Sequence, residues 1–231
     1  MILLHICLIV LTVCFICILL IKRFLYFKPS SKILQRKEEF TDVYLGNLHA
    51  FFKKGESSKV ILVCHGHIGN ISYYQDLFLK LLNTGNSVII FDYSGYGLSK
   101  GVPNETLCYS NACMFVEYLF RNGYDENDII PYGQGIGSAI AVYITRKYNF
   151  PKLIIDQGIK SIKKIIKYNL PYFYLFSFLF PEFDTELHLK GYKGELLTLY
   201  SNTQNMFENS NISIDINSNF SYTQVIKDFI K

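Results

Sequence analysis

Short runs of β-branched and aliphatic residues alternate with helix-spaced apolar stripes along most of this chain, and that alternation leaves few architectures open. Lys59 to Cys64, Ser87 to Phe91, Asp128 to Tyr132, Leu153 to Ile155 and Leu196 to Tyr200 are short and nearly continuously apolar, as strands buried on both faces are. Between them lie helical sets: Ile71, Tyr74, Leu77, Phe78 and Leu81, then Ala112, Phe115, Val116, Leu119 and Phe120, then Ile140 and Ile144. Strand and helix repeated in this way require an α/β fold, a mostly parallel sheet with helices on both faces. A hairpin, Asp42 to Tyr44 against Leu48 to Phe52 around Gly46-Asn47, adds an antiparallel edge. No internal repeat and no low-complexity tract interrupts the pattern.

The first 21 residues follow another rule. They contain no Lys, Arg, Asp or Glu, and about 20 apolar residues in a helix span a hydrocarbon core. A cleaved signal peptide has a charged start, a shorter apolar region and small residues before the cut, none of which is present, so residues 1–22 read as an uncleaved transmembrane anchor. Residues 23–40 form a basic linker. Lys22, Arg23, Lys28, Lys32, Arg36 and Lys37 follow the span and nothing basic precedes it, which places a 41–231 domain in the cytosol as a single-pass membrane protein. The same side chains favour an anionic leaflet. Sequons at Asn70, Asn104, Asn211 and Asn219 argue for the lumen instead, although such triplets arise by chance in an Asn-rich chain.

The net charge is +4, and half of the 231 residues are hydrophobic. The basic residues are dispersed rather than gathered with aromatics into a groove-reading pattern, so no nucleic acid is expected as a partner. Of the six cysteines, Cys7, Cys14 and Cys17 sit in the apolar N-terminus, and Cys64, Cys108 and Cys113 are spread through the rest without a paired or metal-ligand spacing; they read as small buried hydrophobes, and neither a metal nor a cofactor is expected.

In a parallel sheet of this kind ligands sit beyond the carboxyl ends of the strands. Four turns there carry information: His65-Gly66-His67, Asp92-Tyr93-Ser94-Gly95-Tyr96-Gly97-Leu98-Ser99, Gly133-Gln134-Gly135-Ile136-Gly137, and the turn beginning at Asp156. In this order they resemble the α/β-hydrolase fold family, most closely its membrane-anchored serine hydrolases of the depalmitoylase-like and monoacylglycerol-lipase-like kind. The resemblance covers nearly everything after about Thr41. It implies an oxyanion loop at His65, Gly66 and His67, and an oxyanion N–H at Ile136. In the second turn Ser94 stands where the family has Arg.

The resemblance also implies a catalytic triad, and here the chain departs from the family. The nucleophile elbow is G-x-S-x-G, and its middle position is Gly135. The acid follows the strand at Leu196 to Tyr200, where Gln204 stands near the acid position and no carboxylate precedes Glu208. The histidine follows a last strand at Ile212 to Ile216, where Asn219 falls, and no histidine follows His188 anywhere. The segment between those strands is also shortened. Losing the nucleophile or the base costs about 10⁶ in turnover, roughly 8 kcal/mol of transition-state stabilisation. Gly135, Gln204 and Asn219 thus mark a degenerate triad with no catalytic residue.

Replacements are scarce. Ser138 reads as a small packing residue one turn into the helix, and His65 as a group that fixes the oxyanion loop. His67 is expected to be exposed, Asp92 to brace its turn, and Asp156 to cap the following helix. Cys64 is expected to be buried and inert. A cap segment at about 168–190 carries the aromatic run Leu170 to Pro181, expected as a core-covering helix, or else as a lid over an acyl pocket or a surface that dips into the bilayer. The sequence therefore predicts a membrane-anchored pseudoenzyme that binds membrane lipid, an acyl chain or a protein partner. The alternative is an esterase or thioesterase with a rearranged site built on Ser138, His65 or His67, and a third option is a purely structural membrane protein.

Overall fold

A computed structural model describes residues 5, 6, 8, 9, 12, 13, 15, 16, 27–169, 181–201, 207, 210–217 and 221–231. Within them, an eight-stranded sheet has the spatial order β10-β9-β8-β7-β4-β6-β3-β2. The strands are β2 (Thr41–Leu45), β3 (Leu48–Lys53), β4 (Val60–Cys64), β6 (Ser87–Phe91), β7 (Ile129–Gln134), β8 (Lys152–Asp156), β9 (Glu195–Tyr200) and β10 (Ile212–Asp215). From β4 to β10 the pairs are parallel, and β3 runs antiparallel to both β6 and β2. The hairpin and all the expected strands are present, with ends displaced by one or two residues.

The all-apolar runs become strands because both of their faces are covered. Every residue of β4 and β6 is buried. One face packs against α2 (Glu105–Arg121) and α3 (Gly137–Tyr148), through Phe115, Val116, Leu119, Ile140 and Ile144. The other packs against α1 (Gln75–Leu82) and α6 (Tyr222–Ile230), through Phe78, Leu81, Ile226 and Phe229. Each such side chain, moved out of water, contributes about 1.5–3 kcal/mol. Asn104 caps α2, its side chain accepting from the Leu107 N–H.

Two features were not legible. A two-stranded parallel sheet joins β1 (Lys28–Pro29) to β5 (Ile68–Gly69), and each strand is too short to carry periodicity. It lies inside the expected linker, which is not free of the domain: Phe27 and Phe40 are buried, and Arg36 pairs with Asp42. The stripe from Ile71 begins as a 3-10 turn, Ile71–Tyr74, before α1, because Asn70 caps it through the Ser72 N–H.

Asn70 is fully buried and donates to the carbonyls of Ser30 and Lys32, so its sequon is out of reach of a glycosyl transferase in the folded chain. Helix α4 (Ile162–Asn169) leads into the expected cap segment, and α5 (Thr185–Leu189) lies within it; residues 170–180, with most of the aromatic run, lie outside the described residues. Among the described residues no helix is long and apolar enough to cross a membrane, and most of the expected span at 1–22 lies outside them.

Candidate functional site

The carboxyl ends of β4, β6, β7 and β8 bring the four turns to one edge of the sheet. At the elbow, β7 ends at Gln134 and α3 begins at Gly137, so the chain must reverse within two residues. Gly135 does this with φ +56°, a conformation that costs a residue with a side chain on the order of 1–3 kcal/mol. Among the described residues, a Cβ at this position would meet only the Gly66 Cα, at 3.8 Å. Ile136 stands at the N-cap of α3 without a side-chain capping bond, and the Ser138 and Ala139 N–H groups donate to the Gly135 and Ile136 carbonyls, at 3.1 and 3.2 Å. Gln204 and Asn219 lie outside the described residues.

Ser138 is fully buried and its hydroxyl is committed. It donates to the Gly135 carbonyl at 2.6 Å, lies 3.1 Å from the Thr185 hydroxyl and accepts from the Ile159 N–H at 3.2 Å. The packing role expected of it holds, with a hydrogen-bonding role added.

His65 is equally enclosed. Its Nδ1 lies 2.7 Å from the Gly66 carbonyl, its ring lies against Tyr93, Tyr74 and Tyr96, and its Nε2 is buried without a hydrogen bond. Tyr93 and Tyr96 donate to the carbonyls of His65 and His67, at 2.8 and 2.9 Å. The loop is thus fixed by tyrosines from the neighbouring turn as well as by its own histidine. Burial pulls the His65 pKa down to about 4, and the nearby Asp92 charge and the Gly66 carbonyl only partly offset it. His67 was expected to be exposed and is half-buried; burial and Lys28 of β1, a strand the sequence did not reveal, lower its pKa. Cys64 is fully buried, and burial pushes its thiol up, out of the reactive range.

Asp156 does not cap a helix. It ends β8 and accepts on Oδ2 from Gln134 Nε2 at 3.0 Å, from the Tyr132 hydroxyl, and from the Tyr222 hydroxyl at 3.1 Å; the two tyrosines also bond each other. Burial raises its pKa against these bonds. The period of two along β7 puts Tyr132 and Gln134 on one face, but Tyr222 arrives from α6, which no local signal announces. Beside this cluster lies a cavity of about 350 Å³ lined by Leu77, Lys80, Gln157 and Ile216 as well.

Asp92 braces its turn as expected, its Oδ1 accepting from the Ile71 N–H at 2.9 Å. It also faces an unforeseen buried histidine. His49 places Nε2 2.7 Å from Asp42 and Nδ1 3.5 Å from Asp92. Burial pulls the His49 pKa down, but the Asp92 and Asp42 carboxylates outweigh it and the net shift is upward. Ser94 and Asn111 occupy the place of the family's Arg turn, Asn111 accepting from the Ser94 N–H and hydroxyl at 2.8 and 3.0 Å.

The two histidines set opposite pH slopes. A raised folded pKa makes the His49 contribution full below 6.5 and lost as pH rises through that folded value. His65 is depressed from 6.5 to about 4, so its folding penalty grows as pH falls across that interval and then levels off at roughly 3 kcal/mol. Melting temperature is therefore expected to peak near pH 6.5. Melting scans across pH should show His49→Gln flattening the alkaline limb and His65→Gln flattening the acid limb between 4 and 6.5; unchanged limbs would refute the assignment.

The comparisons agree with this geometry. The family model for serine aminopeptidases of the S33 type matches residues 55–155, which include the His65-Gly66-His67 turn and the turn at Gly135. An uncharacterized membrane protein of Saccharomyces cerevisiae is 30% identical over 145 residues, 60% of this chain and 50% of that protein. The chain spans about half the length of the curated relatives it matches. Among solved structures, an α/β-hydrolase from Vibrio vulnificus superposes with a TM-score of 0.59 at 22% identity, covering 69% of this chain and 62% of that one. A Pyrococcus furiosus esterase gives 0.59 at 18% identity, covering 74% and 76%. With its central parallel sheet, its antiparallel β2–β3 edge and its strand–elbow–helix turn, the chain has the α/β-hydrolase fold.

Proposed function

We propose that this protein is a membrane-tethered α/β-hydrolase-fold member that binds an acyl ligand without hydrolysing it. Gly135 carries the reading. The elbow keeps its backbone, and among the described residues nothing lies nearer a Cβ there than the Gly66 Cα, but it presents no nucleophile. The N-terminus of α3, which has no side-chain cap, supports binding of the carbonyl or carboxylate oxygen of an acyl group there. Ser138 offers no replacement, since its hydroxyl is buried among three partners, and a general base at His65 is disfavoured by its lowered pKa and tyrosine enclosure. The apolar run at 1–21 followed by Lys22 and Arg23 supports a single-pass tether with the domain in the cytosol, and the yeast relative is itself described as a membrane protein.

Hydrolysis of p-nitrophenyl butyrate and of a palmitoyl thioester by the purified chain is the test. The expected rate lies about 10⁶ below that of a working serine hydrolase, with at most the residual activity that oxyanion donors give. Turnover at 1 s⁻¹ or faster, about the lower bound for ordinary enzymes, would establish the rearranged esterase instead.

A further inference from the structure

We infer that the sheet's carboxyl edge, on the side of β1, β5 and the turn after β6, is a docking face for an anionic bilayer. Three segments meet there. Lys28 and Pro29 of β1 pair with Ile68 and Gly69 of β5, and the Ser30 carbonyl accepts from the Gly97 N–H in the turn after β6. Lys100 donates its backbone N–H to Asn47 at the tip of the β2–β3 hairpin, on the same edge.

The chemistry of this edge is one-sided. Residues 27–37, 65–75 and 93–104 contain no Asp or Glu. Their apolar side chains stand in water: Ile68 is 51% exposed, Leu98 47% and Val102 55%. Among the described residues Lys28, Lys32 and Lys100 are exposed and have no salt bridge, whereas Arg36 and Lys37 are spent on Asp42 and Asp76. Exposed aliphatic side chains beside lysines that have no salt bridge among the described residues form a surface that gains from both the acyl boundary and the anionic headgroups. The cap side differs, because Lys163 and Lys164 pair there with Glu182 and Glu186.

The occupant is indicated by where the chain comes from. The fold is entered at Phe27, buried on this edge against Phe183, and the residues before it include Lys22, Arg23 and the apolar run. A tether attached there holds this edge within a few residues of the membrane. The elbow opens on the same edge, so its ligand would arrive from the bilayer rather than from bulk water. The inference rests on the tether proposed above, and its test separates the two.

Hydrogen exchange on the full chain in phosphatidylcholine vesicles, with and without phosphatidylserine at about one part in three, reads the face directly. Amides of residues 66–69 and 96–102 are expected to slow by about tenfold when the anionic lipid is present, while the opposite-edge loop 122–128 stays unchanged. The combined Lys28→Gln, Lys32→Gln, Lys100→Gln variant should lose that effect, and Leu98→Asp with Val102→Asp should lose protection in either vesicle. These positions are exposed, so the variants test docking rather than folding. Equal exchange in both vesicles, or slowing that survives the lysine replacements, would overturn the face. Alkaline carbonate extraction reports the tether separately: a chain that stays with the bilayer while its loops exchange unchanged keeps the tether and refutes the face, and a chain that is extracted refutes both.

Discussion

Gly135→Ser is expected to restore no ester hydrolysis and to lower the melting temperature. Among the described residues nothing lies nearer the new Cβ than the Gly66 Cα at 3.8 Å, so the variant should fold and present its hydroxyl at the apex of the elbow. Its cost is conformational. At φ +56° a side chain loses about 1–3 kcal/mol, which in a domain of this size lowers the melting temperature by several degrees. The hydroxyl then lacks a base. No histidine follows His188 in the chain, and His65 is held by the Gly66 carbonyl with its pKa near 4. A serine without a base retains about a millionth of normal turnover. Kinetics with p-nitrophenyl butyrate and a melting scan on one preparation check both halves; turnover recovered in this variant would reveal a base in the site.

Gly137→Ala, two residues on, is expected to be far more damaging, although its chemistry is milder. A Cβ there would lie 1.9 Å from the Cys64 carbonyl oxygen, 2.6 Å from its carbon and 2.7 Å from the His65 carbonyl oxygen. All three are backbone atoms at the end of β4, a strand held between β6 and β7 with every residue buried, so no flexible side chain can give way. Overpacking against rigid backbone should cost roughly 3 kcal/mol or more, seen as a lowered urea midpoint and a fall in soluble protein. Gly135→Ala, which meets no described residue closer than 3.8 Å, should cost about 1–3 kcal/mol through its φ alone. A Gly137→Ala protein as stable as wild type would mean that α3 does not approach β4 as closely as described.

The contrast between these glycines shows what the sequence carried and what it withheld. The strands were legible because β4 and β6 are buried on both faces and so uniformly apolar, and the elbow because its three glycines stand between a strand and a helix. The loss at Gly135 was equally plain, since it depends on which side chain is absent. What stayed hidden depended on contacts between distant segments. Tyr222 reaches Asp156 across 66 positions, and β1 half-buries His67 through two residues that carry no period. His49 looked like a strand residue until the fold set Asp42 and Asp92 on either side of it. Local pattern reveals elements; it does not reveal which polar side chains the topology will force together.

Covalent labelling of the purified full chain by a fluorophosphonate probe tests the central claim most directly, because the probe reports an activated serine wherever it lies in the sequence. An elbow with glycine at its apex and Ser138 locked between Gly135, Thr185 and Ile159 predicts no labelling above that of heat-denatured protein. Stoichiometric labelling abolished by Ser138→Ala, or by replacement of any other serine, would contradict it.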